Sequence, residues 1–224
     1  LVRDNLVGGD EGISDAGFSV ARLIPNPWIF LEATGEAYFG TNEVFTANKR
    51  GDLTYVGHLR AYHDITESAN IDLGGSYAGG HNDAGLVDGV DFGRFVTNLW
   101  GVDATVRWRP LQRAIYRSFL GRSEVIWSRR EQVGGTQQSM GYYASGDYQF
   151  ARRWFTGVRV DRSDLADDAA VHDSGQSLTL TYWPSEFSQI RGQFRRIRYA
   201  EESTAYELLF QFMFSIGAHG AHPF

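Results

Sequence analysis

The sequence predicts an all-β protein: an antiparallel up-and-down transmembrane β-barrel, of which about 11–12 strands are visible in the 224 residues. Three observations predict this fold. Apolar and polar residues alternate over short segments, short connections alternate with longer polar ones, and aromatic residues and glycine are abundant. Barrel strands divide their apolar content between alternate positions, which agrees with the mean hydropathy of -0.32.

The alternation is clearest near the C-terminus. Side chains on a strand point alternately to opposite faces, so residues 206–216 form a strand with one wholly apolar face. That face carries Tyr206, Leu208, Phe210, Phe212, Phe214 and Ile216. The same periodicity predicts ten further strands at 18–24, 28–40, 53–65, 71–78, 97–109, 115–130, 140–150, 154–162, 177–183 and 189–199.

The connections support these boundaries. Short ones are predicted at 25–27, 66–70, 110–114, 151–153 and 184–188, and they hold every proline except Pro223. Proline cannot donate a hydrogen bond to a neighbouring strand, so it belongs at strand ends. Residues 1–17 are predicted to be a loop or the end of a preceding strand, 217–224 a C-terminal tail, and no segment is predicted to be helical. An odd strand number cannot close a simple bacterial barrel, so residues 1–224 are expected to be a single barrel domain that forms the C-terminal part of a larger barrel.

Composition bounds the function. A net charge of -6 argues against a nucleic-acid-binding protein, and the absence of cysteine excludes disulfides and thiolate chemistry. No apolar run reaches the roughly 18 residues of a membrane helix. The first residues lack the apolar core of a signal peptide, so the chain is expected to be a mature form or a fragment.

The last strand and the terminal Phe224 resemble the closing strand of porin-like outer-membrane β-barrels of Gram-negative bacteria. Pro223 departs from the usual pattern at the end of that strand. This resemblance implies an outer-membrane location, contact with the bilayer and lipopolysaccharide, and recognition of the last strand by the assembly machinery. The ending from Gly217 to Phe224, with His219 and His222, resembles in the tail alone uncharacterised barrels of metal-uptake loci.

The polar faces of the predicted strands give the candidate functional residues. If the apolar faces contact lipid, these side chains line the interior, either as the wall of a wet pore or as ion pairs that fill a narrow barrel. The arginines of strand 189–199 are the best candidates for a strip that attracts anions; the alternative is contact with acidic lipid headgroups, since two of them fall on the other face. These residues are Arg191, Arg195, Arg196 and Arg198. The predicted lining residues are Glu32, Glu36, His58, Arg60, Asp103, Arg107, Arg109, Arg122, Glu124, Arg130, Asp147, Arg159, Asp161, Arg191, Gln193 and Arg195.

Loop carboxylates near His81 and His172 could hold a metal ion, but their spacing matches no defined motif, and solvated loops are the default interpretation. His219 and His222 could share a metal only through a turn at Gly220. We predict no metal site, no cofactor and no catalytic residue, since Ser123 and Ser128 have no histidine nearby in the sequence. The carboxylates near His81 are Asp83, Asp88 and Asp91, and those near His172 are Asp164, Asp167, Asp168 and Asp173.

The expected function is passive diffusion of small polar or charged solutes through a charged lumen. One alternative is a structural or interaction barrel with a filled lumen and partner-binding loops. Others are a barrel-borne hydrolase and a soluble β-protein whose apolar faces pack together. The expected partners are lipid, the assembly machinery and small solutes, with a possible oligomer or partner protein.

Overall fold

A computed structural model describes residues 1–9, 12–47, 49, 51–87, 90–200 and 203–216. In this part of the chain, eleven strands form one antiparallel up-and-down sheet in which successive strands pair, and two short strands between the fourth and the fifth of them form a separate hairpin. This confirms the predicted all-β class and the order of the strands. The elements are α1 (Val2–Leu6), β1 (Gly17–Leu23), β2 (Phe30–Tyr38), β3 (Thr54–Thr66), β4 (Ala69–Asn82), β5 (Leu86–Val87), β6 (Val90–Asp91), β7 (Phe95–Trp108), β8 (Ser118–Gln132), β9 (Gly135–Ala151), β10 (Trp154–Asp164), β11 (His172–Ser185), β12 (Ser188–Arg198) and β13 (Thr204–Phe214).

The sheet is open. Among the described residues, β1 pairs with β2 alone and β13 pairs with β12 alone, so these eleven strands do not close into a barrel. The geometry explains why. In an up-and-down sheet of eleven strands the first and last strands run in the same direction, so they cannot pair with each other in an antiparallel way.

The two ends of the sheet differ in their connections. We call the end that holds residues 24–29, 67–68, 109–117, 152–153 and 186–187 the turn end, and the opposite end the loop end. The loop end holds the longest connection, 39–53, and the 83–94 connection that contains the small β5-β6 hairpin. It also holds the two-residue turn 133–134, so the predicted alternation of connection lengths is not strict.

Several strands extend further than predicted. At the loop end, β4 continues to Asn82, β9 begins at Gly135 and β11 begins at His172. At these positions glycine and polar residues follow the apolar stripe, so the alternation that marks a strand is lost although the backbone pairing continues. At the turn end, Pro184 lies inside β11, next to a register shift after Tyr182, which is a position that proline tolerates.

One face of the sheet is apolar and uncovered. Trp154 and Tyr182 stack near the turn end with ring centroids 4.6 Å apart, and Tyr77 and Trp100 pack near the loop end at 5.9 Å. Aliphatic side chains such as Val158, which is 59% exposed, lie on the same face. Among the described elements, packing beyond neighbouring strands is limited to α1, which lies on the other face. The described part of the chain therefore has no second layer packed on the apolar face, as a β-sandwich would have. No helix in this part of the chain is long and apolar enough to cross a bilayer.

Candidate functional site: the polar face

Strand register places the predicted lining residues on one face of the sheet, which we call the polar face. One row across five strands shows this. Each residue is the direct cross-strand neighbour of the next in the order Glu32, Arg60, Gly74, Asp103 and Glu124. Every residue predicted to line the interior lies on this face except Arg109, which follows the end of β7. There its backbone N–H donates to the Ser68 carbonyl and its Nε donates to the Ala114 carbonyl at 3.4 Å.

An ion-pair cluster occupies the polar face near the turn end of β3, β4 and β7. The Arg60 guanidinium donates from Nε and Nη2 to the Asp72 carboxylate at 2.9 and 2.5 Å, and Arg107 Nη1 lies 3.7 Å from the same carboxylate. Arg60 also lies over the Phe30 ring, 5.9 Å from its centroid. Asp72 was not predicted as a lining residue, although it occupies the centre of this cluster.

A second group of pairs lies further along the sheet. Arg159 Nη2 and Nε donate to Asp161 at 2.6 and 2.9 Å, and the Arg159 guanidinium lies 4.0 Å above the Tyr143 ring. On the neighbouring strands, Arg195 donates to Glu207 at 2.6 Å. These arginines remain about two-fifths exposed, so their charges are still available to solutes at this surface.

Some charged residues on the polar face form no ion pair among the described residues. Asp103 and Glu124 are direct cross-strand neighbours, an arrangement that is destabilising for like charges. Arg122 makes no ion pair in this part of the chain, and the buried Nε of Arg191 has no hydrogen-bond partner there. The face is therefore only partly neutralised by its own ion pairs.

His58 and Ser76 form a pair that sequence spacing could not reveal. Their Nδ1 and Oγ atoms lie 2.9 Å apart on adjacent strands of the polar face. A hydrolase needs, in addition, an orienting acid and free backbone N–H donors to stabilise an oxyanion. Here the surrounding backbone is the middle of a sheet, where strand pairing occupies the N–H groups.

Segments from the loop end fold onto the polar face. One is α1, whose Val2 and Leu6 are 3% exposed and pack against Ile126 of β8. The absence of a side chain at Gly141 makes room for them, because a Cβ there would lie 2.9 Å from Val2 Cγ1. Asn5 Nδ2 donates to Asp173 at 3.0 Å. Residues 1–17, predicted to lack a helix, thus contain one that covers part of β8, β9 and β10.

The second segment is the 39–53 connection. Its Phe45 is fully buried against Ala78 of β4 and Leu99 of β7. Gly80 allows the close approach, since a Cβ there would lie 2.8 Å from the Phe45 ring. The Asn42 carboxamide caps the turn by accepting from the backbone N–H groups of residues 44 and 45, both at 3.0 Å.

The residues that precede β1 also contact the 39–53 connection, and we call residues 1–9, 12–16, 39–47, 49 and 51–53 together the inner layer. Asp15 accepts from the backbone N–H and the hydroxyl of Thr41, both at 2.8 Å. Burial acts to raise the pKa of Asp15, but these hydrogen bonds outweigh it and hold the pKa below its ordinary value. Ile13 packs in the Phe45 cluster. The inner layer therefore extends over the loop end of the polar face from β3 to β10.

Asp52 fastens the inner layer to the 83–94 connection. Its carboxylate accepts from the Lys49 backbone N–H at 3.0 Å and forms an ion pair with Arg94. Burial of Asp52 acts to raise its pKa, but the Lys49 N–H and the Arg94 charge outweigh burial, and the pKa of Asp52 lies below its ordinary value.

A cavity of about 420 Å³ lies beside α1, between the inner layer and the charged strands. The sheet contributes Glu124, Tyr143, Arg159 and Arg195, and the α1 segment contributes Arg3 and Asp4 among its lining. Charges of both signs therefore face this space.

The arginines of β12 are divided between the two faces of the sheet. Arg191 and Arg195 lie on the polar face, whereas Arg196 pairs in register with Tyr206 on the apolar face. Among the described residues, no group of three or more histidine, aspartate and glutamate side chains is close enough together to hold a metal ion. Asp88, the Asp91 side chain, His219, His222 and Phe224 lie outside the described part of the chain.

The chain is similar to an uncharacterized protein of Aquifex aeolicus (strain VF5), at 32% identity over 254 aligned residues. The alignment covers 96% of this chain and 52% of the relative, so the chain spans about half the length of the protein it matches. No protein-family model matches the chain, and no solved structure matches it.

Proposed function

We propose that this chain is part of an outer-membrane β-barrel channel that lets small polar or charged solutes diffuse along its polar face. The main support is the contrast between the two faces of the sheet. Phe210 and Phe212 of β13 are 76% and 64% exposed on the apolar face, and no described element covers them or the other apolar strands. In water such a continuous apolar surface would drive aggregation, whereas in a bilayer it is the expected outer wall.

Barrel closure needs strands beyond these eleven. Lipid tolerates no open sheet edge, because unpaired backbone groups have no partner in hydrocarbon. An odd number of additional strands would let β1 and β13 close an antiparallel barrel, and the greater length of the Aquifex aeolicus relative is compatible with them. A closed barrel of these eleven strands and at least one more is wider than the eight-stranded barrels whose interior is filled by side chains, which leaves room for an aqueous lumen.

The orientation is proposed from the connections. Outer-membrane barrels have short periplasmic turns and longer extracellular loops, so the turn end would face the periplasm and the loop end, which holds the two longest connections, would face the outside of the cell. The exposed edge of β13 is then the surface that the assembly machinery would recognise. Lipid and lipopolysaccharide would contact the apolar face, and solutes the charges around Arg122 and Arg191.

The rival with specific support is a structural barrel with a filled lumen. The inner layer favours it, because Phe45 and α1 occupy the polar face. We favour the channel because the charges nearer the turn end remain uncovered. A hydrolase has only the His58–Ser76 pair in its support.

Conductance separates these functions. The full-length protein, purified in detergent, should give stepwise single-channel currents in planar bilayers and heat-modifiable mobility on gels. Heat-denatured protein serves as the control. A heat-modifiable protein that carries no current would favour the filled barrel, and a protein that stays monodisperse without detergent would contradict the membrane proposal.

A further inference from the structure

The inner layer covers one end of the polar face and leaves the rest open. At the loop end, β4 and β7 present Ala78 and Leu99 to Phe45, and β8 presents Ile126 to α1. Nearer the turn end, the same strands present Asp72, Arg107 and Arg122. Any solute that moves along the polar face of a closed barrel would pass the inner layer.

The two attachments of the layer differ in strength. The 39–53 connection has a fully buried aromatic ring and is tied to the sheet by the Thr46 N–H, which donates to the His81 carbonyl at 2.8 Å. The contacts of α1 with the sheet include two buried aliphatic side chains, Val2 and Leu6, and the hydrogen bond from Asn5 to Asp173. A helix of five residues is not stable without tertiary contacts, so the position of α1 depends on contacts of this kind.

We infer that α1 is the constriction element of the proposed channel, and that its seat of Val2, Leu6, Ile126 and Gly141, together with the Asn5–Asp173 hydrogen bond, sets the width of the pathway. This inference rests on the proposed function. The cavity lined by α1 and by Glu124, Arg159 and Arg195 marks where α1 narrows the space over the charged polar face. Loosening the seat frees α1 to leave the polar face, and the pathway widens without any change in the strands.

Replacing Leu6 tests the seat. Leu6→Ser places a hydroxyl in an apolar contact and removes most of the packing of α1 on Ile126. We expect a larger single-channel conductance and more frequent current fluctuations in planar bilayers. Leu86→Ser is the matched control: Leu86 also lies at the loop end but is 65% exposed, so its conductance should equal that of the wild type.

A milder variant protects the test from loss of folding. Asn5→Ala removes only the hydrogen bond to Asp173, and it should raise conductance by less than Leu6→Ser. Each variant is checked for the heat-modifiable mobility of the wild type. If Leu6→Ser does not fold, the comparison of Asn5→Ala with the wild type decides.

The outcomes for this inference and for the channel itself differ. A wild-type protein that is silent in the bilayer contradicts the proposed passive channel. A wild-type protein that conducts, together with folded variants at Leu6 and Asn5 that conduct equally, leaves the channel intact and refutes the role of α1.

Discussion

The two ends of the polar face have the same backbone architecture and opposite surfaces. The loop end carries small and apolar residues, such as Ala78, Leu99 and Gly141, and is covered by the inner layer. Nearer the turn end the face carries Asp72, Arg107 and Arg191 and is open. Alternation alone sets which face a residue occupies, but it does not distinguish the two ends.

The comparison teaches what decides whether a segment can fold onto the sheet. Moving an ion out of water costs several kcal/mol even after relaxation, so a segment would gain little by covering the arginines of the open end. Glycines at the loop end have the opposite effect, because they let a side chain such as Phe45 approach the backbone closely. Side-chain size and charge, rather than backbone topology, divide the face.

The largest expected effect is at Phe45, because it anchors the covered end. Phe45→Ala should cost about 3–5 kcal/mol of the free energy that holds the 39–53 connection in place. Lys49, the one lysine of this chain, lies in that connection, so cleavage by a lysine-specific protease reports its release. We expect cleavage at Lys49 to accelerate by about 100-fold or more, since each 1.4 kcal/mol is a factor of ten.

Phe92→Ala provides the control for this experiment. Phe92 lies in the 83–94 connection at the same end and is 55% exposed, so its truncation should leave cleavage at Lys49 unchanged. Equal cleavage of the Phe45 variant and the wild type would mean that the covered end does not depend on the aromatic seat.

A smaller effect is expected at the open end, where Asp72 joins Arg60 and Arg107. Asp72→Asn removes the shared negative charge and should destabilise the full-length protein by about 1 kcal/mol in urea unfolding, because the guanidinium groups remain nearly half exposed. Asp147→Asn is the control, since Asp147 lies on the same face and forms no ion pair among the described residues. If Asp72→Asn lowered the free energy of unfolding by as much as the roughly 3–5 kcal/mol expected for Phe45→Ala, the two ends would not differ in the way that is proposed here.

The sequence predicted the sheet well because its signal is local. A period of two fixes the face of every residue in a strand, so the lining residues from Glu32 to Arg195 could be assigned to one face without knowledge of register. The ion pairs could not be predicted, because Arg60–Asp72 and Arg195–Glu207 depend on which residues lie opposite each other. The odd strand number predicted that these strands do not close on themselves, but the alternation carries no information on which further strands would meet β1 and β13.

The inner layer was missed for a different physical reason. A helix of five residues has too few hydrogen bonds to give a propensity signal, and its stability comes from contacts with distant strands. The available signals were the four-residue spacing of Val2 and Leu6 and the isolated Phe45 in a polar loop. Both become meaningful only when the glycines at 80 and 141 are known to lie beneath them.

The smallest expected effect is at Asp52, and it depends on pH. The pKa of Asp52 is lowered in the folded protein, so its carboxylate stabilises the fold above the unfolded-state pKa of about 3.9, and this stability is lost as the pH falls through the lower folded-state pKa. Asp52→Asn cannot ionise and keeps only weaker hydrogen bonds to Lys49 and Arg94. The wild type should therefore unfold at higher urea concentration than the variant at pH 7, and the difference should shrink as the pH falls below 4.

Asp167→Asn separates this linkage from the general effect of acid. Asp167 is an exposed carboxylate at the same end, so this variant should follow the wild type at both pH values. A difference between wild type and Asp52→Asn that stayed constant from pH 7 to acid would show that the carboxylate charge does not hold the inner layer to the 83–94 connection. The covered end would then depend on apolar packing alone, and its contrast with the charged open end would be complete.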